Sequence, residues 1–169
     1  MIKNILVSVL ILVCFALFQS AVLSNIIFLP AVPDFLLLCV VYFSVNNGRL
    51  FGISTGFASG LIMDFLSASP VGLHCLMRTV LGYVSGLFNK TININGFFLP
   101  AFLAFCSTVL KIVTLFIISF FFPISLSLNR AYLSTFGAEL IMNTLLCPFL
   151  FKFLGIFKNL IFLDPEKVS

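Results

Sequence analysis

Charge is what this sequence has least of. Of 169 residues, 8% are Asp, Glu, Lys or Arg and 62% are hydrophobic, with a mean hydropathy of +1.26. A soluble domain carries about 25% charged residues. So few charges cannot cover a water-facing surface, which excludes a soluble module and points to an integral membrane protein in contact with the lipid bilayer. Tryptophan is absent. No indole belt can mark the membrane interfaces, and Tyr42, Tyr83 and Tyr132 are the candidates left for that place. There is one histidine and no C-x-x-C pair, and Cys14, Cys39, Cys75, Cys106 and Cys147 lie far apart in apolar stretches. A metal site finds no support in that spacing, and the thiols read as small buried hydrophobes. H-E-x-x-H and P-loop patterns are missing, and no readable spacing sets a base beside a Ser or Thr. Neither catalysis nor a cofactor is therefore expected. The nine Lys and Arg residues give a net charge of +4 but form no basic run, so nucleic-acid binding is not expected either.

Six apolar stretches read as transmembrane helices: residues 4–23, 33–45, 50–67, 71–88, 97–122 and 131–154, with a tail over 155–169. The expected fold class is an all-α integral membrane protein, a single six-transmembrane-helix bundle. A cleaved signal peptide is the rival reading of the first stretch. Its apolar core exceeds the roughly 15 residues usual for one, and no A-x-A site follows, so an uncleaved anchor is expected. Ala16, Ser20 and Ser24 form a small-residue row on that span. Pro30 and Pro33 interrupt the chain, and Asp34 suits the positive end of the next helix dipole. Residues 46–49 read as a tight turn, and a bend is expected near Pro148. Spans two to four are short for a bilayer of about 30 Å. The tail is expected to lie along the surface as far as Leu163, with Lys152, Lys158 and Asn159 on its polar side.

Basic residues in the loops set the orientation. With the N-terminus inside, the cytoplasmic side collects Lys3, Arg49, Lys90, Lys152, Lys158 and Lys167, and the other side only Arg130. Both ends are expected in the cytoplasm, which puts the sequon at Asn89 on the wrong side for glycosylation.

What the chain does have is glycine at regular spacing. Gly52, Gly56 and Gly60 step by four and Asp64 continues the row; after a break at residues 67–70 comes a second row, His74, Arg78, Gly82 and Gly86. On a helix each row occupies one face. Glycine removes the side chain that would hold two helix backbones apart, so both stripes are candidate faces for helix packing or for a partner's helix.

Asp64, Arg78, Lys111 and Glu139 lie inside apolar spans, each at a cost of about 2.5 to 3.5 kcal/mol at a helix centre. At 1.5 Å per residue, Arg78, Lys111 and Glu139 fall roughly 10 to 17 Å below the outer face, with Asp64 and His74 at about 5 Å. A single polar cluster of Asp64, His74, Arg78, Lys111 and Glu139 is expected in the outer half. The candidate pairs are Arg78–Glu139 or Lys111–Glu139, and Asp64 with His74 or Arg78. Such a cluster could fix helix register, line a ligand cavity or receive a partner helix.

The residues from Pro33 to Leu38, then Tyr42, the glycine row, the stretch from Asp64 to Gly72, then Gly82, Tyr83 and Gly86 together resemble the rod shape-determining protein MreD family, over about residues 30–88. The resemblance implies a non-catalytic inner-membrane protein of the bacterial cell-wall elongation complex. The implied partners are an MreC-type membrane protein, the elongation transpeptidase and its glycosyltransferase, and indirectly the actin-like MreB filament. The family brings no catalytic residues. Its fold is similar to the substrate-binding S-components of energy-coupling-factor vitamin transporters, and such a subunit is the alternative reading. Asp64, His74 and Arg78 would then line the ligand cavity.

Overall fold

The structure, a computed structural model, describes residues 2–21, 31–67, 70–89, 96–121 and 130–162. Ser24, Pro30, Lys90, Lys167, the loop before Arg130 and the tail beyond Phe162 lie outside the described residues.

The described residues are all α-helix and connections: α1 (Ile2–Ala21), α2 (Phe35–Asn47), α3 (Arg49–Leu66), α4 (Leu73–Leu87), α5 (Phe98–Phe121), α6 (Arg130–Ile156) and the short α7 (Lys158–Ile161). Among the described residues, three stretches are long and apolar enough to cross a membrane: Lys3–Ala21, Phe98–Phe120 and Ser134–Ile156. Phe35–Asn47 is apolar but shorter. The protein is thus a multi-pass membrane protein by helix length and composition. At 1.5 Å per residue α2, α3 and α4 measure about 20, 27 and 22 Å, less than the hydrocarbon core.

α2 is the hub. It packs against α1, α3, α4, α5 and α6, and its residues 36–45 are buried without a break. That explains why its sequence, FLLLCVVYFSVNN, shows no polar face: a helix enclosed on every side has no water to meet. Tyr42 stacks its edge on Phe151 of α6 with ring centroids 5.0 Å apart.

The expected four-residue turn after α2 contracts to one non-helical residue. Asn46 and Asn47 stay helical, Arg49 already begins α3, and only Gly48 departs, at φ +92°. Glycine meets this left-handed value without Cβ strain. Gly48 N–H donates to Ser44 O and Gly52 N–H to Gly48 O, so the two helices are joined with few backbone groups lost.

α7 is tied to the bundle. The Asn4 side chain donates to Phe162 O at 2.6 Å, Ile161 is fully buried, and the Phe162 ring meets Tyr42. The start of α1, the end of α2 and α7 therefore share one end of the bundle. Pro148 lies inside α6.

Candidate functional site

The two glycine stripes face each other. α3 and α4 form the most extensive helix pair, and the contacts run antiparallel along it. A Cβ on Gly52 would strike Gly82 O; on Gly56, Arg78 O; on Gly60, the backbone of His74 and Cys75; on Gly86, Arg49 Cα at 2.6 Å. All five glycines are buried. With each stripe spent on the other, neither is open to a partner chain. Of the two uses expected for these residues, helix packing is the one the geometry takes.

Asp64 does not join the expected cluster. Its carboxylate crosses the break between α3 and α4 and accepts from the backbone N–H groups of Gly72 (2.8 Å), His74 (3.0 Å) and Cys75 (3.3 Å). It thereby takes up donors that the first turn of α4 would leave open. Gly72, at φ +101°, supplies the left-handed turn that brings those donors round. No side-chain bond joins Asp64 to His74 or Arg78.

The remaining charges do meet, around a residue read from sequence only as a helix-dipole partner. Asp34 caps α2, accepting from Leu37 N–H at 3.0 Å. The same carboxylate takes Arg78 Nη2 of α4 at 2.7 and 2.9 Å and Lys111 Nζ of α5 at 3.0 Å. Lys111 also pairs with Glu139 Oε1 of α6. The expected Lys111–Glu139 pair therefore forms, and Arg78 turns to Asp34 rather than Glu139. Asp34 N–H donates to Asn143 Oδ1 at 2.9 Å, and Asn143 Nδ2 donates to Thr108 Oγ1 at 3.2 Å. Four helices are thus joined by two cations, two anions and a buried amide. Asp34, Arg78, Glu139 and Asn143 are all buried. Asp34 and Asn143 escaped the sequence reading because an N-cap carboxylate and a lone amide look locally satisfied.

This arrangement suits a register lock. Removing Asp34 would strand Arg78 and removing Lys111 would strand Glu139 in low dielectric, which makes the alternative helix alignments costly. Nothing in it resembles a reaction centre. Among the described residues no group of three or more His, Cys, Asp or Glu side chains could hold a metal. The stretch Gly52-Ile53-Ser54-Thr55-Gly56 spells the G-x-S-x-G of a hydrolase nucleophile turn. It lies inside α3, and Ser54 Oγ donates to Leu50 O; the strand-to-helix turn that exposes such a serine is missing there. An apolar groove of about 430 Å³ opens between α3 and α4, lined by Phe57, Leu61, Val71, Leu76 and Val80 among others. Neither Asp64, His74 nor Arg78 lines it.

A hub helix capped by a carboxylate, a glycine-packed hairpin and an aspartate closing that hairpin are the features carried by the residues that resemble a known family. The family model described as rod shape-determining protein MreD matches residues 1–157. The chain belongs to the MreD family. The match extends well beyond the hairpin, through α1, α5 and α6, where hydropathy and order alone had spoken. No curated protein and no solved structure matches the chain. For this MreD-family chain the likeness to transporter S-components accordingly stays an expectation.

Proposed function

We propose that this protein is a non-catalytic component of the bacterial cell-wall elongation complex that maintains rod shape. In this reading it sits in the cytoplasmic membrane as a six-span bundle with both termini cytoplasmic. It holds an MreC-type protein, the elongation transpeptidase and its glycosyltransferase in one assembly, and through them reaches the MreB filament. The observation that carries the proposal is the family match over residues 1–157.

The geometry supports it in three ways. Asn4 and Phe162 meet at one end of the bundle, which fits an even number of crossings. Lys3, Arg49, Lys152 and Lys158 are exposed, as the basic side chains of a cytoplasmic face would be. The intramembrane charges neutralise one another inside, leaving an apolar exterior for lipid and partner helices. The S-component reading needs Asp64, His74 and Arg78 to face a ligand. Asp64 is engaged by the backbone of α4 and Arg78 Nη2 by Asp34, and none of the three residues lines the apolar groove.

Co-purification tests the proposal. The protein is tagged at the C-terminus, native membranes are solubilised in mild detergent, and bound proteins are identified by mass spectrometry. An MreC-type protein with wall synthases is the expected recovery. ATPase subunits with a transmembrane coupling protein would replace the proposal with the vitamin-transporter reading.

A further inference from the structure

Arg78 commits only Nη2 to Asp34. Its Nε and Nη1 are buried and bond to no protein group, and His74 Nδ1 is in the same condition. Arg78 is 1% exposed and heads the fully buried side chains by size. His74 and Arg78 stand four residues apart on α4, so they are neighbours on one face, their Cβ atoms about 5–6 Å apart. His74 N–H donates to Asp64 of α3, and Arg78 on the same helix reaches Asp34 at the start of α2, so the ring stands beside the upper end of the charge network.

A guanidinium carries only donors, and a neutral imidazole offers one acceptor nitrogen. Leaving such groups unpaired in low dielectric is strongly unfavourable. Arg78 and His74 do not bond directly. Water can accept an arginine N–H and donate to an unprotonated ring nitrogen at once, and a buried water takes about three polar partners. We infer that α4 carries a buried hydration site, in which bound water accepts from the free N–H groups of Arg78 and donates to Nδ1 of a neutral His74. A proton on Nδ1 would turn the acceptor into another donor, so the ring holds its proton on Nε2. The half-buried His74 becomes the link between water at the outer end of the bundle and the charge network below it.

His74 is the chain's only histidine, so nitrogen-15 histidine labelling yields ring signals from one residue alone. The full-length protein in lipid nanodiscs is studied by solid-state NMR at neutral pH, with magnetisation transferred from water. The expected result is an unprotonated Nδ1, a protonated Nε2 and transfer from water to Nδ1. A protonated Nδ1, absence of water transfer, or transfer from the Arg78 guanidinium alone would each overturn the inference. A second measurement compares His74→Asn, whose amide oxygen can accept from the position of Nδ1, with His74→Leu. The asparagine variant is expected to keep a Tm several degrees above the leucine variant; equal values would overturn the site.

Discussion

Arg78 sets a single guanidinium nitrogen on both carboxylate oxygens of Asp34, at 2.7 and 2.9 Å, across 44 residues of chain. The pair ties the start of α2 to the middle of α4. Lys111 approaches the same carboxylate from α5 and carries the connection on to Glu139. Asp34 is therefore the shared counter-ion, and Glu139 a terminal one.

That asymmetry gives a ranking. Asp34→Asn strands Arg78 and leaves Lys111 with Glu139 alone, a loss of about 3–5 kcal/mol for a broken buried pair. Glu139→Gln leaves Lys111 on Asp34 and is expected to cost about 1–3 kcal/mol. Unfolding of both variants in detergent measures the difference. Equal losses would contradict a network centred on Asp34.

The hairpin predicts a contrast among glycines. Gly56→Leu and Gly60→Leu push a side chain into the backbone of α4, which cannot yield as a flexible side chain would. A loss of about 3 kcal/mol or more is expected. Gly137, inside α6 with open space around its Cβ position, is the control. Gly137→Ala is expected to be neutral or stabilising by about 0.5–1 kcal/mol. Thermal unfolding of purified variants reads both.

Asp64→Ala removes the acceptor for three backbone donors at the start of α4. A cost of about 1–2 kcal/mol is expected, as for loss of a helix cap. The sharper readout is amide exchange: Gly72, His74 and Cys75 should exchange faster while Gly82 and Gly86 keep their protection. Faster exchange along all of α4 would mean that Asp64 supports more than the first turn.

Asn4→Ala frees the carbonyls of Ile161 and Phe162 from their tether. Limited proteolysis should then cut within residues 157–162 sooner, with thermal stability little changed. Unaltered cleavage would show that burial of Ile161 alone holds α7.

Much of this was legible in the chain. The glycine rows announce themselves because helix geometry returns to one face about every four residues. Lys111 and Glu139 stand out because charge inside an apolar helix has no cheap place to go. Their pairing was among the two options the depths allowed. Asp34 was misread for the same local logic: at a helix start a carboxylate already has a partner in the helix itself, so nothing in the neighbouring letters calls for Arg78. Asp64 was misread the other way, as a charge in search of a cation, because the return of the chain through Gly72 is not written in its own helix. The turn at Gly48 was drawn too long because asparagine usually marks turns, whereas here Asn46 donates back to Tyr42 O and stays helical.

By itself the sequence determined the solvent, the helices and the faces on which they could pack. Composition decides whether a surface meets lipid or water, and a 3.6-residue period decides which side chains share a face. Only the tertiary structure decided that the glycine stripes meet each other, that α2 is enclosed by five helices, and that one carboxylate serves two cations. The two cations of Asp34 lie 44 and 77 positions from it along the chain, and the facing Gly52 and Gly82 lie 30 apart. At such separations the choice of partner depends on how the helices pack, and no local spacing in the chain encodes it.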